Sequence, residues 1–378
     1  MKKILAFLLS AVMITALAGC GSKPASNAEN TSTAETAALT EAAATEAPAT
    51  QETLAADVKA KLDQALEKEK FKGVAQITKG DTVIYQYVNG DDDNGKPLTA
   101  DSSLPLASVS KQFCAAAVMK LCDENKLSVD DTLDKFYPDY EYGKTLTIKH
   151  LLTMGSGIPN YNVFLEPSML GGNEEENIKI IREAMFAEKL DFEPGDDYEY
   201  SNSNYFLLAD IVSQVSGAAY HDFLRKNFFE PLEMTHTGFV QDILEDQDWA
   251  SALSKTELML ETTNPGVANG AGDIVSNAAD MDKWMRGLSG GKIISSDAWK
   301  EMTGNPNQNS SNGYSYGLWQ MSFDGMGHVG QIEPHFGAVD YINTDREVYL
   351  FGAANTMSGL SFAEEIPQTL LAILFENE

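Results

Sequence analysis

The sequence predicts a mixed α/β fold of the α+β kind: an antiparallel sheet built from both ends of the chain, flanked by helices, with a helical lobe between them. Three observations predict it. Runs with the composition of strands occur around residue 75 and again beyond residue 312, the apolar residues between 108 and 230 recur at helix spacing, and helical segments lie at both ends of the body. A chain of 378 residues with 43% apolar residues is long enough to bury a substantial core.

The first twenty residues predict an export signal. A basic start precedes an apolar run over residues 4–18, which would form a helix of only ~22 Å, shorter than the ~30 Å core of a bilayer. The run ends in Leu17-Ala18-Gly19-Cys20, which resembles the lipoprotein box of bacteria. The resemblance implies cleavage before Cys20, acylation of its sulfur and a lipid anchor on the outer face of the membrane. The alternative is an ordinary cleaved signal with an incidental cysteine.

Residues 21–52 predict a disordered tether, and residues 53–378 the folded body. The tether is rich in Ala, Thr, Ser and Glu, has no aromatic residue and has Leu39 as its one large aliphatic residue, so it cannot form a core. It would hold the body away from the membrane surface.

The body begins with a helix and a hairpin. Apolar residues recur every four positions at its start, which predicts an amphipathic helix: Leu54, Val58, Leu62 and Leu66. Two strands are predicted next, at 73–78 and 82–88, joined by Lys79-Gly80-Asp81 with the composition of a hairpin turn.

A helical lobe follows, roughly over residues 112–265. Phe113, Ala117 and Leu121 have helix spacing, and the spacing returns from Tyr205 to Val212. The period then changes to two, which predicts an antiparallel meander with strands at 314–323, 328–332, 336–342 and 348–353. A final helix is predicted over 362–375.

Composition excludes several classes of function. Lys and Arg number 27 against 56 Asp and Glu, and the net charge of -29 would repel a nucleic-acid backbone.

Cys114 and Cys122 lie about 12 Å apart along one predicted helix, too far for a disulfide. We expect buried free thiols, since neither has a histidine nearby in sequence as a catalytic cysteine would. The run Asp91-Asp92-Asp93-Asn94-Gly95 lacks the spacing of a calcium loop, and no metal or cofactor is predicted.

The first candidate catalytic element is Ser108-Val109-Ser110-Lys111, where an extended segment enters a helix. At a spacing of three, both side chains share one helical face, so the Lys111 ammonium can reach Ser108 Oγ and favour its alkoxide. Ser289-Gly290-Gly291-Lys292 has the same spacing, but its two glycines indicate a turn with no helical face.

The second element is Tyr200-Ser201-Asn202, directly before the helix that starts near Tyr205. A tyrosine next to a lysine can act as a general base, and the asparagine can orient a substrate amide or Lys111. Two other Tyr-x-Asn triplets, at Tyr87 and Tyr341, lie on predicted strands.

The third element is His328-Val329-Gly330, at the start of a predicted strand. The triplets at His236 and His335 match the same His-x-Gly pattern, so only position distinguishes them. Position favours His328.

With all three elements in order, the body resembles the superfamily of serine β-lactamases and penicillin-binding proteins, in the class C-like branch that includes DD-peptidases and esterases. The resemblance extends over almost the whole body. Its segments are Phe71-Lys72-Gly73-Val74, Ala107-Ser108-Val109-Ser110-Lys111-Gln112-Phe113, Leu127-Ser128-Val129-Asp130-Asp131, Ile148-Lys149-His150-Leu151-Leu152-Thr153, Tyr200-Ser201-Asn202-Ser203-Asn204-Tyr205, Ser276-Asn277-Ala278-Ala279-Asp280-Met281 and Gly327-His328-Val329-Gly330.

The resemblance implies a role for each site residue. Ser108 would be the nucleophile, Lys111 and Tyr200 would share proton transfer, and Asn202 would bind substrate. His328 and Gly330 stand where many members have Lys-Thr-Gly, and the backbone N–H groups of Ser108 and Gln331 would form the oxyanion hole. These implied catalytic and substrate-binding positions are Ser108, Lys111, Tyr200, Asn202, His328, Gly330 and Gln331.

The resemblance also implies a function: an exported serine hydrolase that attacks a peptide, ester or lactam carbonyl, with no cofactor. The histidine motif favours a DD-peptidase or esterase acting on a peptidoglycan peptide or a small ester. The alternatives are a β-lactamase proper and a non-catalytic lipoprotein that binds cell-wall peptides. Glu333 and His335, in a turn one residue longer than usual, are expected either to project into the pocket or to face solvent.

The single lysine of the three elements bears on proton transfer. Holding a tyrosine ionised near pH 7 costs about 4 kcal/mol relative to its ordinary pKa of about 10. An imidazole with an ordinary pKa near ~6.5 adds little positive charge at that pH. We therefore expect Tyr200 to be largely protonated in the free protein and to act with Lys111 as a coupled pair.

Overall fold

The two ends of the body form one antiparallel sheet, as the sequence predicts. The computed structural model describes residues 54–92, 95–245, 264–311, 313–332, 336–356 and 361–376. The strands, in chain order, are β1 Lys72–Lys79, β2 Thr82–Asn89, β3 Leu104–Pro105, β4 Gly238–Phe239, β5 Ile274–Ser276, β6 Trp319–Met321, β7 Gly325–Gly327, β8 Val329–Ile332, β9 Phe336–Asn343 and β10 Val348–Thr356. The main sheet has the order β2-β1-β10-β9-β7-β6, and β8 also pairs with β9. The first two and the last two strands of the described residues therefore lie in the same sheet.

The helices, in chain order, are α1 Ala56–Lys68, α2 Lys111–Asp123, α3 Ile148–Leu152, α4 Glu174–Ala187, α5 Asn202–Ser216, α6 Tyr220–Leu224, α7 Val240–Glu245, α8 Ala278–Ser289, α9 Ser296–Gly304 and α10 Ser361–Phe375. Helices α1 and α10 pack together over one face of the sheet, where Leu62, Ile77, Leu350 and Leu370 share a buried cluster. Among the described helices, none is both long and apolar enough to cross a membrane.

The opposite face of the sheet contacts α8 and the helical lobe. Alternate sheet residues such as Val74, Ala338 and Phe351 join a larger buried cluster with α2 and α5. All eight residues of β9 are buried, because the sheet is covered on both faces. The catalytic candidates lie where this covered sheet meets α2.

Three local predictions were wrong or incomplete. Of the predicted strand 314–323 only Trp319–Met321 pairs, and Gly325, predicted as a turn residue, begins β7. The predicted helical lobe over 112–265 also holds β4, which belongs to a second sheet of order β3-β5-β4. Strands of two or three residues are too short to show a period, so the second sheet left no pattern in the sequence.

Helices α8 and α9 were also not predicted, although both have clear signals. Asn277 and Ser295 cap them, each accepting a backbone N–H with its side-chain oxygen. Cys20, the tether, Glu333 and His335 lie outside the described residues, so the predictions for them stay predictions.

Candidate active site

Ser108 lies in a short 3-10 turn, Ala107–Ser110, that leads directly into α2. Ala107 has a φ of 46°, an unfavourable backbone conformation for a residue other than glycine. Two hydrogen bonds to β5 hold the turn: Leu106 N–H donates to Ile274 O at 2.8 Å, and Ile274 N–H donates to Ser110 Oγ at 3.2 Å. Ser108 itself is half-buried while its neighbours are buried, so its hydroxyl can meet a substrate.

Lys111 is fully buried one helical turn beyond Ser108. Its Nζ donates to Ser108 Oγ at 3.0 Å, to Asn202 Oδ1 at 2.8 Å and to the backbone oxygen of Ala271 at 2.7 Å. A buried ammonium needs such acceptors, because removing a charged group from water costs a large free energy unless hydrogen bonds within the protein replace those to water. The three contacts join α2, α5 and the segment before β5 at one nitrogen.

Tyr200 precedes α5, and its ring centroid lies 5.0 Å from Lys111 Nζ. The hydroxyl is buried and has no partner at hydrogen-bond geometry. Burial raises the pKa of the Tyr200 phenol well above its ordinary value, although the nearby Ser108 hydroxyl acts in the opposite direction. A phenol with a raised pKa is protonated at pH 7, which agrees with the hypothesis drawn from the sequence.

Asn202 is the first residue of α5 and is half-buried. A lysine ammonium only donates, so the contact with Lys111 fixes Oδ1 on the lysine side of the amide. The Nδ2 amine consequently faces away from Lys111 and is available to donate to a substrate carbonyl.

His328 is fully buried between β7 and β8. Its Nδ1 lies 2.6 Å from the backbone oxygen of Val329, and a carbonyl only accepts, so Nδ1 bears the proton. Burial, together with the positive charge of Lys111, lowers the pKa of His328 well below its ordinary value. His328 is therefore neutral at pH 7, and its Nε2 is a buried acceptor with no partner.

Aromatic rings surround the imidazole of His328. The Trp319 centroid lies 4.2 Å from it, that of Tyr314 5.8 Å and that of Tyr200 6.3 Å. Trp319 also stacks on Tyr200 at 5.7 Å with an interplanar angle of 15°. The rings fix Tyr200 and His328 relative to each other.

Gly330 places β8 directly against the turn that carries Ser108. A Cβ atom on Gly330 would lie 2.2 Å from Leu106 O and 2.9 Å from Ser108 N, which no side chain tolerates. Gln331 follows it in β8, opposite Gly337 of β9. The backbone segments that bear the two predicted oxyanion donors are thus neighbours, and the donor roles of Ser108 and Gln331 stay predictions.

The other sequence matches lie elsewhere. Ser289 ends α8, Tyr87 and Tyr341 lie in β2 and β9, and His236 is exposed before β4. Sequence reasoning missed three residues at the site: Ala271, Gln112 and Asp340. Ala271 contributes a backbone oxygen, which has no sequence signature. The signal for Asp340 was a charged residue within the apolar strand 336–342, and Gln112 was noted only as part of a family motif.

No group of three or more His, Cys, Asp and Glu side chains is placed to hold a metal ion in the part of the chain that the structure describes. The site brings together a hydroxyl, an ammonium, a phenol and an amide. A nucleophilic hydroxyl beside groups that can transfer its proton is the arrangement that covalent acyl transfer requires.

The sequence matches the family described as Beta-lactamase over residues 58–374. The chain belongs to the β-lactamase family. Its fold and site elements therefore come from a superfamily of serine hydrolases that also contains penicillin-binding proteins, as the motifs predicted.

Two relatives and one solved structure illustrate the family's range. PbpX of Bacillus subtilis (strain 168), named for penicillin binding, is 28% identical over 281 residues, which are 72% of this chain and 68% of that protein. Protein flp of Staphylococcus aureus (strain MRSA252) is 30% identical over 201 residues, 50% of this chain and 40% of that protein, so the chain spans less than half of its length.

The structure of D-amino acid amidase from Ochrobactrum anthropi SV3, in complex with L-phenylalanine amide, has a TM-score of 0.71 to this β-lactamase-family chain at 22% identity. The match covers 85% of this chain and 98% of the amidase. At that identity it establishes the shared fold alone.

Proposed function

We propose that the protein is an exported, lipid-anchored serine hydrolase that forms an acyl-enzyme at Ser108 on a peptide or ester carbonyl, in the manner of a DD-peptidase or esterase. The observation that carries the proposal is the 3.0 Å contact between Lys111 Nζ and Ser108 Oγ, held in place by the two other acceptors of Lys111. Pure binding of a peptide needs no buried ammonium directed at a half-buried hydroxyl.

Acylation would transfer one proton twice. Acylation starts from the form of the Tyr200–Lys111 pair that has lost one proton to solvent, in which the Lys111 amine still donates to Asn202 Oδ1 and Ala271 O and can accept from Ser108. Ser108 Oγ then attacks the substrate carbonyl while its proton passes to the pair, and the carbonyl oxygen becomes negative beside the N–H groups of Ser108 and Gln331. The same pair then returns the proton to the departing amine or alcohol as the carbon–leaving group bond breaks. Water then attacks the carbonyl of the acyl-enzyme and gives its proton to the same pair. The pair passes the proton to Ser108 Oγ as the acyl–Oγ bond breaks, which releases the acid and restores Ser108.

The neutral His328 favours an esterase over a β-lactamase proper. Of the seven predicted site residues, Lys111 is the one cation, because the pKa of His328 is lowered well below 7. A substrate carboxylate next to the carbonyl, as in penicillins, would meet no second positive charge there. Uncharged esters lose nothing by that arrangement, so we expect an activated ester to acylate and clear faster than a penicillin.

The test is the intact mass of the purified full-length protein after exposure to benzylpenicillin and, separately, to p-nitrophenyl acetate. We expect an added acyl mass that Ser108→Ala abolishes. Ser110→Ala is the matched control, because Ser110 lies two residues away in the same turn but its Oγ accepts the backbone N–H of Ile274 in β5. No adduct with either reagent would overturn the hydrolase and leave the peptide-binding lipoprotein.

The lipid anchor has its own test. Metabolic labelling with a fatty acid in a bacterial host should label the wild type, and Cys20→Ser should remove the label and leave the signal uncleaved. Labelling that persists in Cys20→Ser, or a mature protein without acyl groups, would contradict the anchor while leaving the hydrolase proposal intact.

A further inference from the structure

Asp340 is a carboxyl group in the middle of β9, with an exposed fraction of 0%. Its Oδ1 accepts the backbone N–H of His328 at 2.9 Å, and its own backbone N–H donates to His328 O at 3.1 Å. One residue thus binds both backbone groups of His328. Burying a carboxyl group inside a sheet costs free energy, so a buried carboxyl group beside a candidate site is a candidate for a functional role.

Gln112 approaches Asp340 from the helix side. It follows Lys111 directly in α2, and its Oε1 accepts the indole N–H of Trp284 at 2.8 Å. An indole N–H only donates, so this bond fixes the orientation of the Gln112 amide and leaves its Nε2 amine on the other side. That amine lies close enough to Asp340 to lower the pKa of the carboxyl group, although neither it nor Asp340 Oδ2 has a partner at full hydrogen-bond geometry.

In this group of contacts the carboxyl group of Asp340 is the acceptor and its neighbours are donors. Trp284 donates to Gln112, Gln112 presents an amine to Asp340, and the His328 N–H also donates to Asp340. A carboxylate can accept from both sides, whereas a proton on either oxygen weakens one of the two contacts.

We propose that Asp340 is a positioning residue for acyl transfer: its carboxyl group holds the backbone of His328 and, when ionised, attracts the facing amine of Gln112, and so fixes β8 against the helix that bears Lys111. The inference rests on the proposed function at Ser108. It assigns Asp340 no contact with substrate. Its effect passes through the distance between the oxyanion strand and the nucleophile, where small displacements reduce rates strongly.

The charge state of Asp340 changes near neutral pH. Burial raises the pKa of Asp340 to about 7, while the Gln112 amide and backbone N–H groups act in the opposite direction. The titratable groups on the elements around it include His328 and, in α2, Lys111, whose charge acts on His328. Helix α8, which also packs on β9, carries Asp282 and Arg286, which pair with each other. Phe351, opposite in β10, and Trp284 of α8 are uncharged. The contact to Gln112 therefore strengthens as pH rises through about 7.

The experiment measures the rate of acylation by p-nitrophenyl acetate between about pH 5 and pH 9 for the full-length wild type, Asp340→Asn and Asp282→Asn. Asparagine keeps the shape and the acceptor for His328, but places an amine against the amine of Gln112. We expect the wild-type rate to rise with an inflection near pH 7. Asp340→Asn should be roughly tenfold slower at pH 8, comparable at pH 5.5, and without that inflection. Asp282→Asn, at another largely buried acid with a raised pKa in α8, should follow the wild type.

A second variant tests the same contact from the helix. Gln112→Met keeps the length of the side chain but removes the amine that lowers the pKa of Asp340, so the inflection should move to higher pH. An unmoved inflection in Gln112→Met overturns the proposal. So does an Asp340→Asn variant whose rate equals that of the wild type at every pH, or falls equally at every pH with a lower melting temperature, which is a structural role alone. A wild type that is never acylated would instead overturn the proposed function.

Discussion

The two halves of the candidate site differ in how their buried polar groups are paired. The helix half, Ser108, Lys111 and Asn202, has its ammonium bound by three protein oxygens. The strand half, His328, Gly330, Gln331 and Asp340, contains buried atoms without a protein partner. His328 Nε2 and Asp340 Oδ2 are two of them, and Tyr200 Oη, between the halves, is a third.

The difference in pairing suggests that one half of the site fixes the positions of the reacting groups and the other half responds to pH. A fully paired buried group has one stable position, so the helix half holds the nucleophile in place before substrate arrives. A partly paired group lies closer to the balance between two protonation states, because the low-polarity surroundings penalise its charge. The pKa of Asp340 rises and that of His328 falls for this reason. We infer that the helix half sets the reactivity and the strand half sets its pH dependence.

The largest effect is expected from breaking the helix half. Lys111→Met should lower the rate of ester acylation about a thousandfold, because general acid–base catalysis at Ser108 is lost. It also leaves Asn202 Oδ1 and Ala271 O without their donor. The matched control is Lys120→Met in the same helix, whose Nζ is paired with Glu124 at 3.9 Å and lies away from Ser108. A loss below tenfold for Lys111→Met would show that the helix half does not set the reactivity.

The next effect concerns Tyr200, between the halves. Tyr200→Phe should lower acylation about a hundredfold, because the proton relay is lost while the ring and its stacking on Trp319 remain. Since burial raises the Tyr200 pKa, an ultraviolet difference titration of wild type against Tyr200→Phe should show no phenolate from this residue below about pH 9. A phenolate signal from Tyr200 near neutral pH would mean that Tyr200 is an ionised base in the free protein.

Sequence reasoning placed the helix half more fully than the strand half, and the reason is physical. Ser108 and Lys111 interact along one helix, so their spacing in the sequence already encodes their distance. Asp340 and Gln112 meet only because α2 packs on β9, and nothing local to either residue indicates the partner. The sheet from both chain ends could be predicted from period and composition, whereas β3, β4 and β5 are too short to have a period.

A smaller effect should follow from forcing the halves apart. Gly330→Ala introduces a Cβ that would lie 2.2 Å from Leu106 O, so β8 must move away from the Ser108 turn. We expect acylation to fall at least roughly tenfold and the free energy of unfolding to fall by about 1–3 kcal/mol, measured by urea denaturation. Gly304→Ala at the end of α9, where a Cβ meets nothing within 4 Å, is the control and should change neither quantity. Equal behaviour of the two variants would show that the contact between the halves tolerates displacement.

The last effect concerns stability without any change in acylation rate, and it tests whether the two titrating residues of the strand half respond to pH in opposite directions. The pKa of His328 is lowered in the folded protein, so the unfolded chain takes up the proton first, and the contribution of His328 to stability is lost as pH falls below about 6.5. Asp340 is the reverse. Its pKa is about 7 when folded and about 3.9 when unfolded, so its contribution falls as pH rises between these values, by at most about 4 kcal/mol.

The free energy of unfolding, measured by urea denaturation between about pH 5 and pH 7, should therefore depend on pH differently from the wild type in two variants, with opposite signs of the difference. Asp340→Asn removes the term that weakens the protein as pH rises, so its stability should rise with pH relative to the wild type. His328→Asn removes the term that strengthens it, so its stability should fall with pH relative to the wild type. If both variants changed the slope in the same sense, unequal pairing of the two halves would not explain where the pH dependence lies. Opposite slopes in the two variants would assign the pH dependence of stability to the strand half.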